Sequence, residues 1–185
     1  EIDTIVEWVI DLCEPLISCG NLPDPVYHRD LKPGNIIVHE TRGPIIIDWG
    51  VAKIVTSSDD TTSQIFHSQA WTPPERRVGI SGSFTDVYSL GKILACLLLR
   101  EENPPTVIDD EDLKTFIKAG ASDELAQIIV DACKPRSERR IASVLDLHNR
   151  LIKLGSATPI VVSKPVRGSP EFDALVAAKL QEDAK

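Results

Sequence analysis

The sequence has no methionine and no apolar run long enough to cross a bilayer. Methionine is missing even at position 1, which suggests a longer reading frame than these 185 residues. The longest apolar run, residues 93–99, is far shorter than the ~20 residues of a membrane-spanning helix. The amino terminus begins with acidic residues and lacks the positive start of a signal peptide. We therefore expect a cytoplasmic protein without membrane insertion.

Positive charge is also scarce. Lysine and arginine number 20 against 28 aspartates and glutamates, which gives a formal net charge of −8. This charge argues against nucleic acid or an anionic membrane as the main partner. Part of the acidic excess lies in residues 109–112. We interpret this run as a solvated loop leading into a helix, and the alternative is a docking site for basic substrates.

The cysteines lack the CxxC spacing of metal and redox sites. They are Cys13, Cys19, Cys96 and Cys133. Three of them lie in apolar stretches with helical periodicity. We expect buried free thiols in a reducing compartment rather than disulfides or a metal site.

The chain is long enough for one domain with an apolar core, and its pattern is mainly helical. Apolar spacings of three and four predict an amphipathic first helix, and a second helix that is apolar around most of its circumference. Ser122 and Ser143 are placed to cap two later helices. The predicted helices cover residues 2–18, 85–100, 123–133 and 143–154.

Strand signals are confined to one short region. Two β-branched runs, residues 36–38 and 45–47, flank turn-forming residues at 41–44 and predict a two-stranded unit. Residues 54–69 are rich in Ser and Thr without a period, which predicts a loop.

The carboxyl-terminal part is expected to lie outside the domain. Residues 155–170 read as a linker rich in Gly, Ser, Pro and Lys. Residues 171–185 are either a short helix or a vector-derived tail. The second alternative arises because GSPEF at 168–172 looks like a translated cloning junction.

Two strings carry most of the chemical information: HRDLKPGN at 28–35 and DWG at 48–50. The carboxylate of Asp30 can accept a proton from an attacking hydroxyl, and Lys32 can neutralise charge on a phosphoryl group in transfer. Asn35 and Asp48 carry the oxygen ligands that Mg²⁺ prefers. The strings resemble the catalytic loop and metal-binding turn of eukaryotic-type (Hanks-type) serine/threonine protein kinases.

The resemblance implies a role for each of four residues. Asp30 and Lys32 would be catalytic. Lys32, Asn35 and Asp48 would hold ATP with its Mg²⁺, and the metal ligands would be Asn35 and Asp48.

Further matches extend the resemblance over residues 1–154. PPE at 73–75 stands where the family has Ala-Pro-Glu, which implies that Glu75 pairs with Arg140. DVYSLG at 86–91 resembles the start of the family's central helix, where the aspartate, here Asp86, accepts hydrogen bonds from the catalytic-loop backbone.

Some positions depart from the family pattern. Trp49 stands where Phe is usual, and the resemblance implies that it packs against His28. Ser68 stands in place of a threonine that contacts the catalytic Asp and Lys, and His67 replaces a glycine before it.

The part of the kinase pattern that grips the nucleotide is missing. A glycine-rich loop, a strand lysine and a helix glutamate normally precede the catalytic loop, yet none of the ten glycines forms a GxG pair. The resemblance therefore implies the large C-terminal lobe alone. Its fold would be α+β and mainly α-helical, with a small β unit that carries the catalytic and metal-binding loops.

The sequence leaves two functions open. The first is a serine/threonine kinase lobe that transfers the γ-phosphate of ATP to a protein substrate. It would need an N-lobe, supplied by the full-length protein or in trans, so the isolated chain would be inactive. The alternative is a pseudokinase-like lobe that acts as a protein-binding scaffold.

Overall fold

The computed structural model describes residues 1–49, 53–54 and 70–155, and it is mainly helical with two small sheets. The helices are α1 (Ile2–Gly20), α2 (Ser83–Leu99), α3 (Leu113–Lys118), α4 (Asp123–Ala132) and α5 (Val144–Leu154). The strands are β1 (Val26–Tyr27), β2 (Ile36–His39), β3 (Gly43–Ile46) and β4 (Lys53–Ile54). The four predicted helices are confirmed, each within two residues of its expected bounds.

The centre of the core is α2, which packs against α1, α4 and α5. Its residues are buried on nearly every face, as its apolar circumference predicted. Gly91 allows α4 to approach closely, because a Cβ there would lie 2.7 Å from Ala132 Cβ and 2.8 Å from Cys133 Sγ. The central helix is therefore fixed by close packing along its length.

A buried lysine lies in the middle of this largely apolar helix. Lys92 is fully buried, and its Nζ donates hydrogen bonds to the backbone carbonyls of Pro105 and Thr106. The ammonium also lies 5.4 Å from the centroid of the Tyr88 ring. These contacts satisfy the buried cation and fasten the segment after α2 to the core.

The predicted helix caps are confirmed. Ser122 Oγ accepts a hydrogen bond from the Leu125 N–H at 3.1 Å, at the start of α4. Ser143 Oγ accepts from the Asp146 N–H at 3.1 Å and donates to Asp146 Oδ2 at 2.6 Å, at the start of α5. Both serines thus satisfy a backbone donor that the first turn of a helix leaves unpaired.

The predicted two-stranded unit is the antiparallel hairpin of β2 and β3. Its register runs from Ile36 opposite Ile46 to His39 opposite Gly43. Gly43, the first residue of β3, has φ of +72°, a conformation that glycine adopts at little cost. β2 begins directly after Asn35 and β3 ends two residues before Asp48, so the hairpin joins the two motifs.

The second sheet was not predicted. β1 and β4 pair antiparallel over only two residues each. Ile54 belongs to β4, so the predicted loop 54–69 starts one residue too early, and the rest of it lies outside the described residues. Apart from Gly155, the predicted linker 155–170 and the segment 171–185 also lie outside them.

The acidic run and the cysteines behave as expected. Residues 109–112 form a largely exposed turn that leads into α3. All four cysteines are free and buried. Burial raises the pKa of the Cys19 thiol to about 12 and that of Cys96 to about 11.

Among the described residues, no helix combines the length and the apolar character needed to cross a membrane.

Candidate active site

The loop at residues 28–35, which the resemblance identifies as the catalytic loop, is held by the carboxylate of Asp86, in the first turn of α2. Its Oδ2 accepts a hydrogen bond from the His28 N–H at 3.0 Å, and its Oδ1 accepts one from the Arg29 N–H at 2.8 Å. These bonds confirm the predicted contact. They also fix Arg29 in a left-handed conformation with φ of 71°, which costs a non-glycine residue roughly 1–2 kcal/mol.

Asp86 is almost completely buried, and this changes its acidity. Burial raises the pKa of its carboxyl group to about 6. The two backbone N–H groups and the charges of Arg29 and Arg76 act in the opposite direction. The loop is therefore anchored by a carboxylate whose charged state depends on these donors.

His28 joins the catalytic loop to the second motif. Its Nε2 lies 3.2 Å from the Ile47 carbonyl oxygen, which can only accept, so Nε2 carries the proton. Its Nδ1 accepts from the Asp30 N–H at 3.4 Å. Burial lowers the pKa of the imidazole, which favours this neutral form.

Trp49 packs on His28, as the resemblance implied. The two ring centroids lie 4.9 Å apart, and the planes cross at 62° in an edge-to-face arrangement. The larger ring is thus accommodated without losing the contact between the two motifs.

Three of the predicted site residues form one hydrogen-bonded cluster. Lys32 Nζ lies 2.7 Å from Asp30 Oδ2, and Asn35 Nδ2 donates to the same oxygen at 3.2 Å. Asn35 Nδ2 also donates to the Asp30 backbone carbonyl at 2.8 Å. The short turn Pro33–Asn35 brings Asn35 back toward Asp30, and these contacts orient the Asp30 carboxylate.

Asp48 lies at the same end of the hairpin as Asn35. The backbone N–H of Ile47, the preceding residue, donates to the Asn35 carbonyl at 2.9 Å. The negative charges of Asp30 and Asp48 both act on His28 and raise its pKa, so both carboxylates lie near that ring. Asp48 is exposed and left-handed, with φ of 56°. The structure thus brings all four predicted residues to one site.

The donor set fits a hard divalent cation. Asp48 offers carboxylate oxygens, and the Asn35 amide nitrogen is already directed at Asp30, which leaves its carbonyl oxygen as the atom able to ligate. Mg²⁺ is commonly held by one or two protein oxygens together with substrate phosphates and water. Asn35 and Asp48 meet that requirement.

A buried ion pair joins the PPE motif to the segment before α5. Arg140 Nη1 and Nη2 meet Glu75 Oε1 and Oε2 at 2.6 and 3.0 Å, which confirms the predicted pair. The same guanidinium donates to the carbonyls of Phe84, Lys134 and Pro135 at 2.8, 3.0 and 3.2 Å. It also lies 4.9 Å from the centroid of the Tyr88 ring. The sequence pattern indicated the ion pair but none of these backbone acceptors.

One further side chain lies close to the site. Arg76 directly follows the PPE motif and lies close to the catalytic loop. It was not predicted from the sequence, although basic residues stand at both 76 and 77. Ser68 and His67, which the kinase pattern singled out, lie outside the described residues.

Comparison with known proteins shows the family of the chain. The model of the protein kinase domain family matches residues 15–184. Serine/threonine-protein kinase PknB of Mycobacterium leprae (strain TN) is 26% identical over 170 residues, which cover 83% of this chain and 26% of that protein. PknB of Mycobacterium tuberculosis (strain ATCC 25618 / H37Rv) is 24% identical over 187 residues, which cover 94% and 30%.

A shorter match is more similar. Serine/threonine-protein kinase PknK of Mycobacterium bovis (strain ATCC BAA-935 / AF2122/97) is 43% identical over 72 residues, which cover 38% of this chain and 6% of that protein. The chain thus spans less than a third of the length of each of these relatives.

Proposed function

Because the chain belongs to the protein kinase domain family, we propose that it is the catalytic lobe of a serine/threonine kinase. It would transfer the γ-phosphate of ATP to a Ser or Thr hydroxyl of a protein substrate. The observation that carries this proposal is the cluster of Asp30, Lys32 and Asn35, which is joined through His28 to the segment that carries Asp48.

Asp30 orients the acceptor hydroxyl and takes its proton. Its Oδ2 is held by Lys32 and Asn35, so the carboxylate does not have to be positioned when the substrate arrives. Lys32 places a positive charge beside the point where the phosphoryl group passes between donor and acceptor. Fixed charges of this kind cost little reorganisation during the reaction.

Asn35 and Asp48 would hold Mg²⁺, and Lys32 would contact the γ-phosphate. Bound Mg²⁺ supplies neutralisation of the charge that develops on the phosphate oxygens. The left-handed backbone at Asp48 presents its carboxylate at the exposed end of the hairpin, where a nucleotide could reach it.

Binding of the nucleotide would need a second lobe. The glycine-rich loop and strand lysine of the kinase pattern do not occur in this sequence. Positioning of the reactants alone can lower the activation barrier by roughly 7–11 kcal/mol. Without contacts to the α- and β-phosphates, turnover would therefore fall below detection. We therefore expect the 185-residue chain to fold but to need an N-lobe, in the full-length protein or in trans.

Transfer of radiolabelled phosphate from ATP to a serine peptide tests the proposal. The chain should be silent alone and active when joined to the amino-terminal lobe of its own reading frame. The scaffold alternative predicts no transfer in either sample. Transfer by the chain alone would show that the second lobe is not required.

A further inference from the structure

Three polar side chains of α2 are almost completely buried and are spaced by three residues: Asp86, Ser89 and Lys92. Residues three apart on a helix are neighbours on its surface, so the three side chains follow one side of α2. Each binds the backbone of a segment outside the helix. Asp86 holds the catalytic loop, Lys92 holds the segment after α2, and Ser89 holds a third segment.

The segment that Ser89 holds leads into the PPE motif. Ser89 Oγ donates a hydrogen bond to the Trp71 backbone carbonyl at 3.1 Å. The bond is buried, since Trp71 is 7% and Ser89 2% exposed. At the other end of the segment, both carboxylate oxygens of Glu75 are held by Arg140. Residues 71–75 are therefore tied to the core at both ends.

The two bonds on successive turns of α2 place this segment beside the catalytic loop. The Cβ atoms of residues three apart on a helix lie about 5–6 Å from each other. Asp86 binds two backbone N–H groups of the catalytic loop at 2.8 and 3.0 Å, and Ser89 binds the Trp71 carbonyl at 3.1 Å. α2 thus sets the spacing between the Trp71 backbone and the loop that carries Asp30.

This position brings the segment within reach of an acceptor peptide. A peptide whose hydroxyl meets Asp30 extends about 3.3–3.6 Å per residue on either side of the acceptor. The residues of one flank therefore pass close to the segment that neighbours the catalytic loop. Thr72 is half-buried and Pro74 is exposed, so this segment offers surface for contact with the peptide.

We propose that Ser89 is a positioning residue for the acceptor peptide, because its bond to Trp71 keeps residues 71–75 where they hold the peptide beside Asp30. The proposal rests on the proposed function, since the peptide is the one whose hydroxyl Asp30 orients. Ser89 is too deeply buried to touch the peptide itself. Without its hydroxyl, the buried Trp71 carbonyl would lose this donor, and the segment would shift to regain one.

The test compares two serines of the same helix. Ser89→Ala removes the bond to Trp71. Ser83→Ala removes another bond between a serine and the backbone, in which the Val144 N–H donates to Ser83 Oγ at 2.9 Å. Both variants should unfold at a lower urea concentration than wild type, because each loses one hydrogen bond. The control therefore reproduces the structural cost without touching residues 71–75.

Peptide affinity separates positioning from stability, and its measurement needs no phosphate transfer. The probe is a fluorescein-labelled nine-residue peptide with a central serine and degenerate flanking positions, titrated with the full 185-residue chain and followed by anisotropy. Ser89→Ala should weaken binding by roughly fivefold or more, and Ser83→Ala should bind within about twofold of wild type. Ser89→Thr keeps the hydroxyl and should bind more tightly than Ser89→Ala.

The outcomes that would overturn the inference are specific. They are wild-type affinity in Ser89→Ala, equal weakening in Ser83→Ala, no recovery in Ser89→Thr, and no binding of the peptide by the wild-type chain. Ser89-dependent peptide binding by a protein that never transfers phosphate, even when joined to its amino-terminal lobe, would instead count against the proposed function alone.

Discussion

Replacing Arg140 with lysine should destabilise the fold far more than its conservative chemistry suggests. The Arg140 side chain is fully buried, and the side chain of its partner Glu75 is 8% exposed. Three guanidinium nitrogens serve two carboxylate oxygens and three backbone carbonyls. A lysine ammonium has three donors on a single atom and cannot reach acceptors spread around a planar fork.

The size of the effect follows from the bonds that are lost. Arg140→Lys keeps a positive charge for Glu75, so the cost stays at the lower end of the roughly 3–5 kcal/mol for breaking a buried pair. Carbonyls left without a donor cost about 1 kcal/mol or more each when buried. We expect a loss of about 3 kcal/mol, which in a chain of this size lowers Tm by roughly 6–12 °C.

Urea unfolding and thermal melts followed by circular dichroism measure this loss. The matched control is Arg150→Lys, because Arg150 is half-exposed and pairs with Asp131 at 2.9 Å. An exposed pair is worth about 0–1 kcal/mol, so the control should unfold close to wild type. If the free energy of unfolding of Arg140→Lys were also within about 1 kcal/mol of wild type, as expected for the control, the role assigned to the Arg140 guanidinium would be refuted.

Three further results are expected. Gly91→Ala should lower the free energy of unfolding in urea by about 1–3 kcal/mol, because the new methyl would lie 2.7 Å from Ala132 Cβ. Wild-type stability of this variant would show that α2 and α4 can move apart at little cost. The raised pKa of Asp86, about 6, means that protonation favours the folded state, so its contribution to stability is lost as pH rises from about 4 to 6. The stability difference between wild type and Asp86→Asn should therefore change by up to about 3 kcal/mol over this range, and a constant difference would contradict the burial argument. With the second lobe present, serine peptides should be labelled faster than tyrosine peptides, because Lys32 near the γ-phosphate leaves too shallow a site for a phenol; faster tyrosine labelling would exclude this.

The parts of the fold that could be read from the sequence are those with a repeated local signal. α1 and α5 are amphipathic over several turns, and Ser122 and Ser143 stand directly before their helices. The hairpin was readable because two β-branched runs flank a turn. β1 and β4 were not, because two residues show no period and their pairing depends on residues far apart in the chain.

The contacts of the site could be predicted where a short motif specifies the residue that makes the contact. Asp86 and Trp49 came from motifs and were confirmed by their bonds and ring contact. The burial of Lys92 had no such motif to indicate it, since a lysine in a helix normally reaches solvent. Only the tertiary fold brings two carbonyls within reach of its ammonium and makes its burial tolerable.

The central claim is that Asp30 carries phosphoryl transfer, and one rate comparison tests it most directly. The chain joined to its amino-terminal lobe is assayed for phosphate transfer to a serine peptide as wild type, Asp30→Asn and Asp24→Asn. Asp24 is an exposed aspartate that precedes the catalytic loop, which makes it a matched control. Loss of a positioned base lowers rates by roughly 10²–10⁴-fold, so Asp30→Asn should fall at least about a hundredfold while Asp24→Asn keeps the wild-type rate. Transfer at the wild-type rate by a folded Asp30→Asn protein would contradict the account.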